Sequence, residues 1–188
     1  MTARLVVLAS GSGSTLQAVL DAAAEATFPA TVVAAGTDRP GCLAMQRAEA
    51  AGVPTFAVPL AGYQSRAEWD AALAERLADH QPDLVALAGF MRLLAAGTVE
   101  KFPIVNTHPS LLPSFPGAHA IADALKHGVK ISGVTVHRVD AGLDSGPILA
   151  QAPVEVRAED TEDSLRERIQ AVEKPLYVET IRQLCRSL

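Results

Sequence analysis

Short runs of continuously apolar residues recur along the first half of the chain, at 4–9, 31–35, 54–58 and 83–88, and 104–105 opens a fifth. Their β-branched, uninterrupted character suits strands buried on both faces. Between them, 16–26, 44–51 and 65–80 carry apolar residues at helical spacing. Ser65 with Glu68 three residues on predicts a capping box at the start of the third helix, and Gly52 stops the second. Strands alternating with helices predict parallel pairing through right-handed crossovers, hence an α/β, Rossmann-like, doubly wound and mostly parallel sheet. After Asn106 the pattern changes. Pro109, Pro113 and Pro116 stiffen a loop over 106–118, and 120–127 reads as a short helix. Two strands, 131–139 and 148–156, follow as an antiparallel C-terminal pair. A long C-terminal helix starts near Thr161 and runs toward Leu188, with Pro175 expected to kink it or sit at a break.

Composition narrows the classes. With 188 residues, 49% hydrophobic and 20% charged, the chain is long enough for one domain with its own core. No internal repeat or linker divides it, so 1–188 reads as a single domain, with 1–105 as a phosphate-binding half and 106–188 carrying the rest. A net charge of -5 argues against sequence-independent nucleic-acid binding, which runs on a basic face. The longest apolar-looking stretch, 84–97, is interrupted by Arg92 and is too short to span a bilayer. At the N-terminus only 5–9 is apolar, less than the roughly 7–15 residues of a signal-peptide core. Cys42 and Cys185 form neither a metal spacing nor a disulfide framework. The expectation is a cytoplasmic protein with no membrane and no nucleic-acid partner.

Ligands of open α/β sheets bind off the carboxyl ends of the strands, and three segments at such ends carry chemistry. SGSGSTL at 10–16 lets backbone N–H groups approach an anion at a helix N-terminus. A tight turn capped by Ser14 or Thr15 explains it equally well. NTHPSLLPSFPG at 106–117 delivers an amide and an imidazole two residues apart, a donor pair suited to oxyanion and acid–base work; the plainer alternative is a hydrogen-bonded loop histidine. The other histidines, His80, His119, His127 and His137, read as structural. DAGLDSGP at 140–147 is explained as a turn by its Gly and Asp content, yet it brings Asp144 to a rim where a histidine could meet it. No His-Glu-x-x-His and no Cys/His cluster points to a metal.

Asn106-x-His108 with its HPSLLPSFPG stretch, followed by Gly142, Asp144, Gly146 and Pro147, resembles the folate-dependent formyltransferases. The Gly13–Ser14 turn, AGFMRLL at 88–94 and QAVE at 170–173 extend the likeness over almost the whole chain. The SFPG ending points to the branch that formylates phosphoribosylglycinamide. The branch acting on methionyl-tRNA ends that stretch differently and adds a tRNA-binding domain. The resemblance implies transfer of a formyl group from 10-formyltetrahydrofolate, as co-substrate, to the amine of 5-phosphoribosylglycinamide in de novo purine biosynthesis, with no metal and no nicotinamide. It implies that Asn106 and His108 hold the formyl oxygen while Asp144 pairs with His108. It places the substrate at Gly13, Ser14, Thr15, Pro109, Gln170 and Glu173. It places the folate at Arg66, Met91, Arg92, Leu93, Leu94, Asp140, Ala141, Gly142 and Leu143. The partners are small molecules, and a homodimer is compatible with it.

Two positions depart from the family pattern. Thr15 stands where Asn is usual, which removes one side-chain contact to phosphate. Asp38 stands where Asn or another polar residue is frequent, and has no assigned role. The alternatives are a formyltetrahydrofolate hydrolase, a nicotinamide dehydrogenase and a non-catalytic nucleotide or folate sensor. The first usually carries a regulatory domain ahead of the first strand, where this chain begins. The second would need a glycine at Leu16 and a nearer acid than Asp38. A sensor would not need Asn106, His108 and Asp144 together.

Overall fold

The computed structural model describes residues 2–188. One seven-stranded sheet runs through both halves of the chain. Its strands are β1 (Ala3–Leu8), β2 (Ala30–Thr37), β3 (Thr55–Ala57), β4 (Leu84–Leu87), β5 (Ile104–His108), β6 (Ile131–Arg138) and β7 (Ile148–Glu155). The order is β3-β2-β1-β4-β5-β6-β7. β1 to β5 pair in parallel, while β6 is antiparallel to both β5 and β7. The order therefore reverses between β1 and β4, the switch point where doubly wound sheets hold ligands.

The helices are α1 (Ser14–Ala23), α2 (Leu43–Ala50), α3 (Arg66–Asp79), α4 (Ala96–Val99), α5 (Ala120–His127) and α6 (Glu162–Arg186). Alternation along β1 feeds both faces of the sheet. Leu5 and Val7 pack with Leu16 and Val19 of α1 and Ile181 of α6. Val6 and Leu8 pack with Trp69, Leu73 and Leu77 of α3. A third cluster joins Ile121, Val134, Leu165 and Ile169 under the antiparallel strands. Tyr177, fully buried on α6, reaches the carbonyls of Leu87 and Val105 at 2.9 and 3.0 Å, tying that helix to β4 and β5 just below the strand ends.

Three local expectations need correction. Ser65 does cap α3 by accepting from the Glu68 N–H, but the Glu68 carboxylate accepts from Gln64, not from Ser65, so the reciprocal half of the box falls one residue early. The full capping box is at α6, between Thr161 and Ser164. Pro175 neither breaks nor ends α6, which is continuous from Glu162 to Arg186. Pro175 and Ala171, whose carbonyl loses its partner, both lie on the exposed face. Water can satisfy that carbonyl, which lowers the penalty of an interior proline. The short α4 carried no periodic signal and was not expected.

Candidate active site

The turn after β1 is built from backbone. Gly13 is the N-cap of α1 at φ 72°, and no side chain caps that helix. The capped-turn alternative with Ser14 or Thr15 is therefore not what forms. The first N–H groups of α1 are therefore left without a side-chain acceptor, as at any uncapped helix N-terminus. Gly13 is required twice over: its φ is left-handed, and a Cβ there would sit 2.6 Å from the Cα of Ala44 at the start of α2. The adjoining Thr15 hydroxyl points elsewhere, donating to Glu173 on α6 at 3.4 Å. Burial pushes the Glu173 carboxyl above its ordinary range, with the nearby hydroxyls of Thr15 and Thr107 acting the other way. The Thr107 hydroxyl is buried without a hydrogen-bond partner. Gln170 lies half-buried one helical turn before Glu173.

The second locus is at the end of β5. Asn106 and His108 point to one face of the strand and Thr107 to the other. Register sets Asn106 opposite His137 and His108 opposite Thr135 on β6. The turn after β6 folds back so that Asp144 Oδ2 stands 3.4 Å from His108 Nδ1, and Oδ1 stands 3.7 Å from His137 Nε2. Asp144 Oδ2 also accepts from the Gly117 N–H at 2.8 Å. Asp144 adopts φ 50° and Phe115 φ 53°, so both loops facing His108 hold a non-glycine residue in the left-handed region. Gly146 allows the fold-back, since a Cβ there would meet the Arg138 carbonyl oxygen at 1.9 Å.

Hydrogen bonds assign the proton positions. His108 Nε2 donates to the Phe115 carbonyl at 2.8 Å. A hydrogen bond from Nδ1 to Asp144 therefore requires the imidazolium. His137 Nδ1 donates to the Arg138 carbonyl at 2.9 Å, which leaves Nε2 to accept from Asn106 Nδ2 at 3.3 Å. One Asn106 N–H is thereby fixed and the other is left for a ligand. His137 was read from sequence as purely structural. Its position opposite Asn106 emerges only from the β5–β6 register, although alternation from Thr135 hinted at a shared face.

Thr135, Ser110 and Gln151 hold the proline-rich loop. The Thr135 hydroxyl donates to the Ser110 carbonyl and accepts from the Leu112 N–H, while Gln151 donates to the Leu112 carbonyl. The peptide bond before Pro113 is cis. Pro109 lines a small cavity of about 140 Å³ with Ile121, Glu162 and Arg166. The larger cavity, about 610 Å³, lies between Thr2, Pro29 and Cys185, away from all of these groups.

The remaining candidate residues lie on the segment after β4, on α3 and on the turn after β6. Met91, Leu93 and Leu143 are exposed although apolar. Leu94 is half-buried against the α3 face. Arg92 is paired with Asp38 at 2.7 Å. Arg66 donates to the Leu93 carbonyl, pairs with Asp70 at 3.2 Å and lies over Trp69. Asp140 Oδ1 accepts from the Gly142 N–H and the Ser145 hydroxyl, shaping the exposed 141–143 turn. Among the described residues no three His, Cys, Asp or Glu side chains gather as metal ligands.

Comparison with known proteins shows the family. The formyl transferase family model matches residues 3–181, so the chain belongs to that family. Within it, the chain is 53% identical over 184 residues to phosphoribosylglycinamide formyltransferase of Mycobacterium tuberculosis, covering 97% of this chain and 85% of that protein. It is 39% identical to the Bacillus subtilis protein of the same name, covering 96% and 94%. Among solved structures, glycinamide ribonucleotide transformylase 1 from Symbiobacterium toebii superposes with a TM-score of 0.96 at 48% identity, covering 99% of this chain and 89% of that one.

Proposed function

We propose that this chain transfers the formyl group of 10-formyltetrahydrofolate to the amine of 5-phosphoribosylglycinamide in de novo purine biosynthesis. The observation that carries the reading is the meeting of Asn106, His108 and Asp144 at the end of β5, beside an uncapped helix N-terminus at the switch point.

The roles are those that the family resemblance implies, and the geometry is compatible with them. The phosphate sits on the N–H groups at Gly13, Ser14 and Thr15. Glu173, with Gln170 beside it, accepts from the ribose hydroxyls, and Pro109 borders the amine end. The folate lies along Met91 to Leu94 and the 140–143 turn, with Arg66 and Arg92 at its edge. The amine attacks the formyl carbon, and the free Asn106 N–H and the His108 imidazolium stabilise the oxygen as it gains charge. For His108 to do so, the formyl oxygen takes the place of the Phe115 carbonyl on Nε2. Asp144 faces the other ring nitrogen, Nδ1, at 3.4 Å. The tetrahedral intermediate collapses by breaking the bond to folate N10. The proton leaving the amine ends on N10, relayed by Asp144 through water, so the step is neutral in charge and involves no redox change. Neither a metal nor a nicotinamide is required.

Residues 1–188 act as one formyltransferase domain in this reading, 1–105 supplying the phosphate site and 106–188 the catalytic and folate loops. A cytoplasmic setting fits the two unpaired cysteines, and a homodimer is compatible with this reading. The test is formyl transfer from 10-formyltetrahydrofolate with and without phosphoribosylglycinamide. Tetrahydrofolate and formylated product should form in equal amounts and only with the acceptor present. Release of formate at the same rate without acceptor would identify a hydrolase instead. Binding of both ligands with no turnover would identify a sensor.

A further inference from the structure

Asp38 is a buried charge that the formyl-transfer chemistry does not use. It follows directly after β2, and its side chain is fully buried. Oδ1 accepts from the Ser10 hydroxyl at 2.5 Å, and Oδ2 from Arg92 Nε at 2.7 Å. The Ser10 oxygen in turn accepts from the Met91 N–H at 2.9 Å. One carboxylate thus joins the ends of β2, β1 and β4, the three neighbouring strands at the switch point, and secures two consecutive residues of 88–94. The far end of that segment has its own fastening. Arg66 donates to the Leu93 carbonyl, and Asp70 Oδ1 accepts from the Ala95 N–H at 3.1 Å.

Between these fastenings Met91 and Leu93 stand 58% and 63% exposed. Packing does not order them. The fold instead spends a buried ionic contact, which by itself adds little to stability, on holding two apolar side chains out in water. That is the arrangement of a binding surface ordered before its ligand arrives, where the ordering cost is met in the free protein. We propose that Asp38 is a positioning residue for the folate-facing segment, acting through Ser10 and Arg92 to hold Met91 to Leu94 in binding geometry. The inference rests on the reading of 88–94 as the folate side of the site.

The experiment measures KM for 10-formyltetrahydrofolate and for phosphoribosylglycinamide, kcat, and the melting temperature in Asp38→Ala, Asp38→Asn and Ser10→Ala. Loss of two hydrogen bonds to the carboxylate, one of them from a guanidinium, should raise the folate KM on the order of tenfold to a hundredfold in Asp38→Ala. The acceptor KM should stay within about twofold, because the partners of Asp38 are Ser10 and Arg92, not Gly13, Ser14 or Thr15. Asn retains an acceptor for Arg92, so Asp38→Asn should recover most of the folate affinity. Ser10→Ala keeps the ion pair but releases the Met91 N–H, and should raise the folate KM by roughly fivefold. If Asp38→Ala does not fold, Asp38→Asn and Ser10→Ala still carry the comparison. An unchanged folate KM, or both KM values rising together, would overturn the proposal. Absence of formyl transfer in the wild-type protein would instead overturn the functional reading on which it rests.

Discussion

The proposed phosphate turn at 13–15 and the proposed catalytic locus at 106–144 both stand at strand ends, yet they are made of opposite materials. The first is contiguous backbone: its donors are N–H groups, and its geometry is set by one glycine and the approach of α2. The second is side chains drawn from three segments, aligned by the register of β5 with β6 and by a turn folded back through Gly146. A backbone site should tolerate side-chain replacement and fail when the main chain moves. A side-chain site should fail on isosteric changes of charge while the main chain stays put.

The most severe break in that comparison should come from Asp144→Asn, which preserves shape and removes charge. The expected kcat loss is on the order of 10²–10⁴, with the folate KM much less affected. Because the three groups act together, Asp144→Asn should add little to His108→Ala in a double-mutant cycle. Additive losses would separate them.

Next in size is Gly13→Val. The new Cβ must displace the start of α2, and the residue must hold a left-handed φ. A destabilisation of about 2–4 kcal/mol is expected, together with loss of the preference for phosphorylated over dephosphorylated acceptor. Thr15→Asn should change acceptor KM by less than about threefold. Equal affinity for the two acceptors in the wild-type protein would remove the anion site altogether.

His137 sharpens the contrast from the other side. Replacing it by Phe keeps the burial and removes the acceptor for Asn106. The expected effect is a kcat reduction of roughly tenfold with both KM values near normal. A rise in KM alone would make His137 a structural residue after all.

A smaller effect than that at His137 belongs to Glu173, where the two regions approach one another through Thr15. Glu173→Gln should raise acceptor KM by roughly fivefold with kcat retained. It also has a signature in stability. Burial raises the carboxyl in the folded state, so the native protein binds more protons than the unfolded chain and loses stability as pH rises toward neutrality. Glutamine has no such dependence. The melting temperature of Glu173→Gln should match wild type below the ordinary glutamate range and exceed it at neutral pH.

The parallel half of the fold was legible because buried strands read as unbroken apolar runs, and Ala120–His127 has the bounds its periodicity predicted. Asn106, His108 and Asp144 were legible as residues with chemistry, and the family resemblance supplied their joint role. What escaped was non-local. His137 looked like any strand histidine, and Asp38 had no local reason to matter. The glutamate of the α3 box chose a neighbouring N–H.

By itself, the order of apolar and polar residues determined the elements, their alternation and the places where strands end. Those depend on local backbone preference and on burial, which a chain carries along its own length. The tertiary structure alone decided which strand end faces which, and hence that Asn106 leans on His137, that His108 faces Asp144, and that Asp38 reaches Arg92. Contacts of that kind join residues 28 to 54 positions apart, and they exist only once sheet register and loop packing have brought the donors and acceptors within 3 to 4 Å.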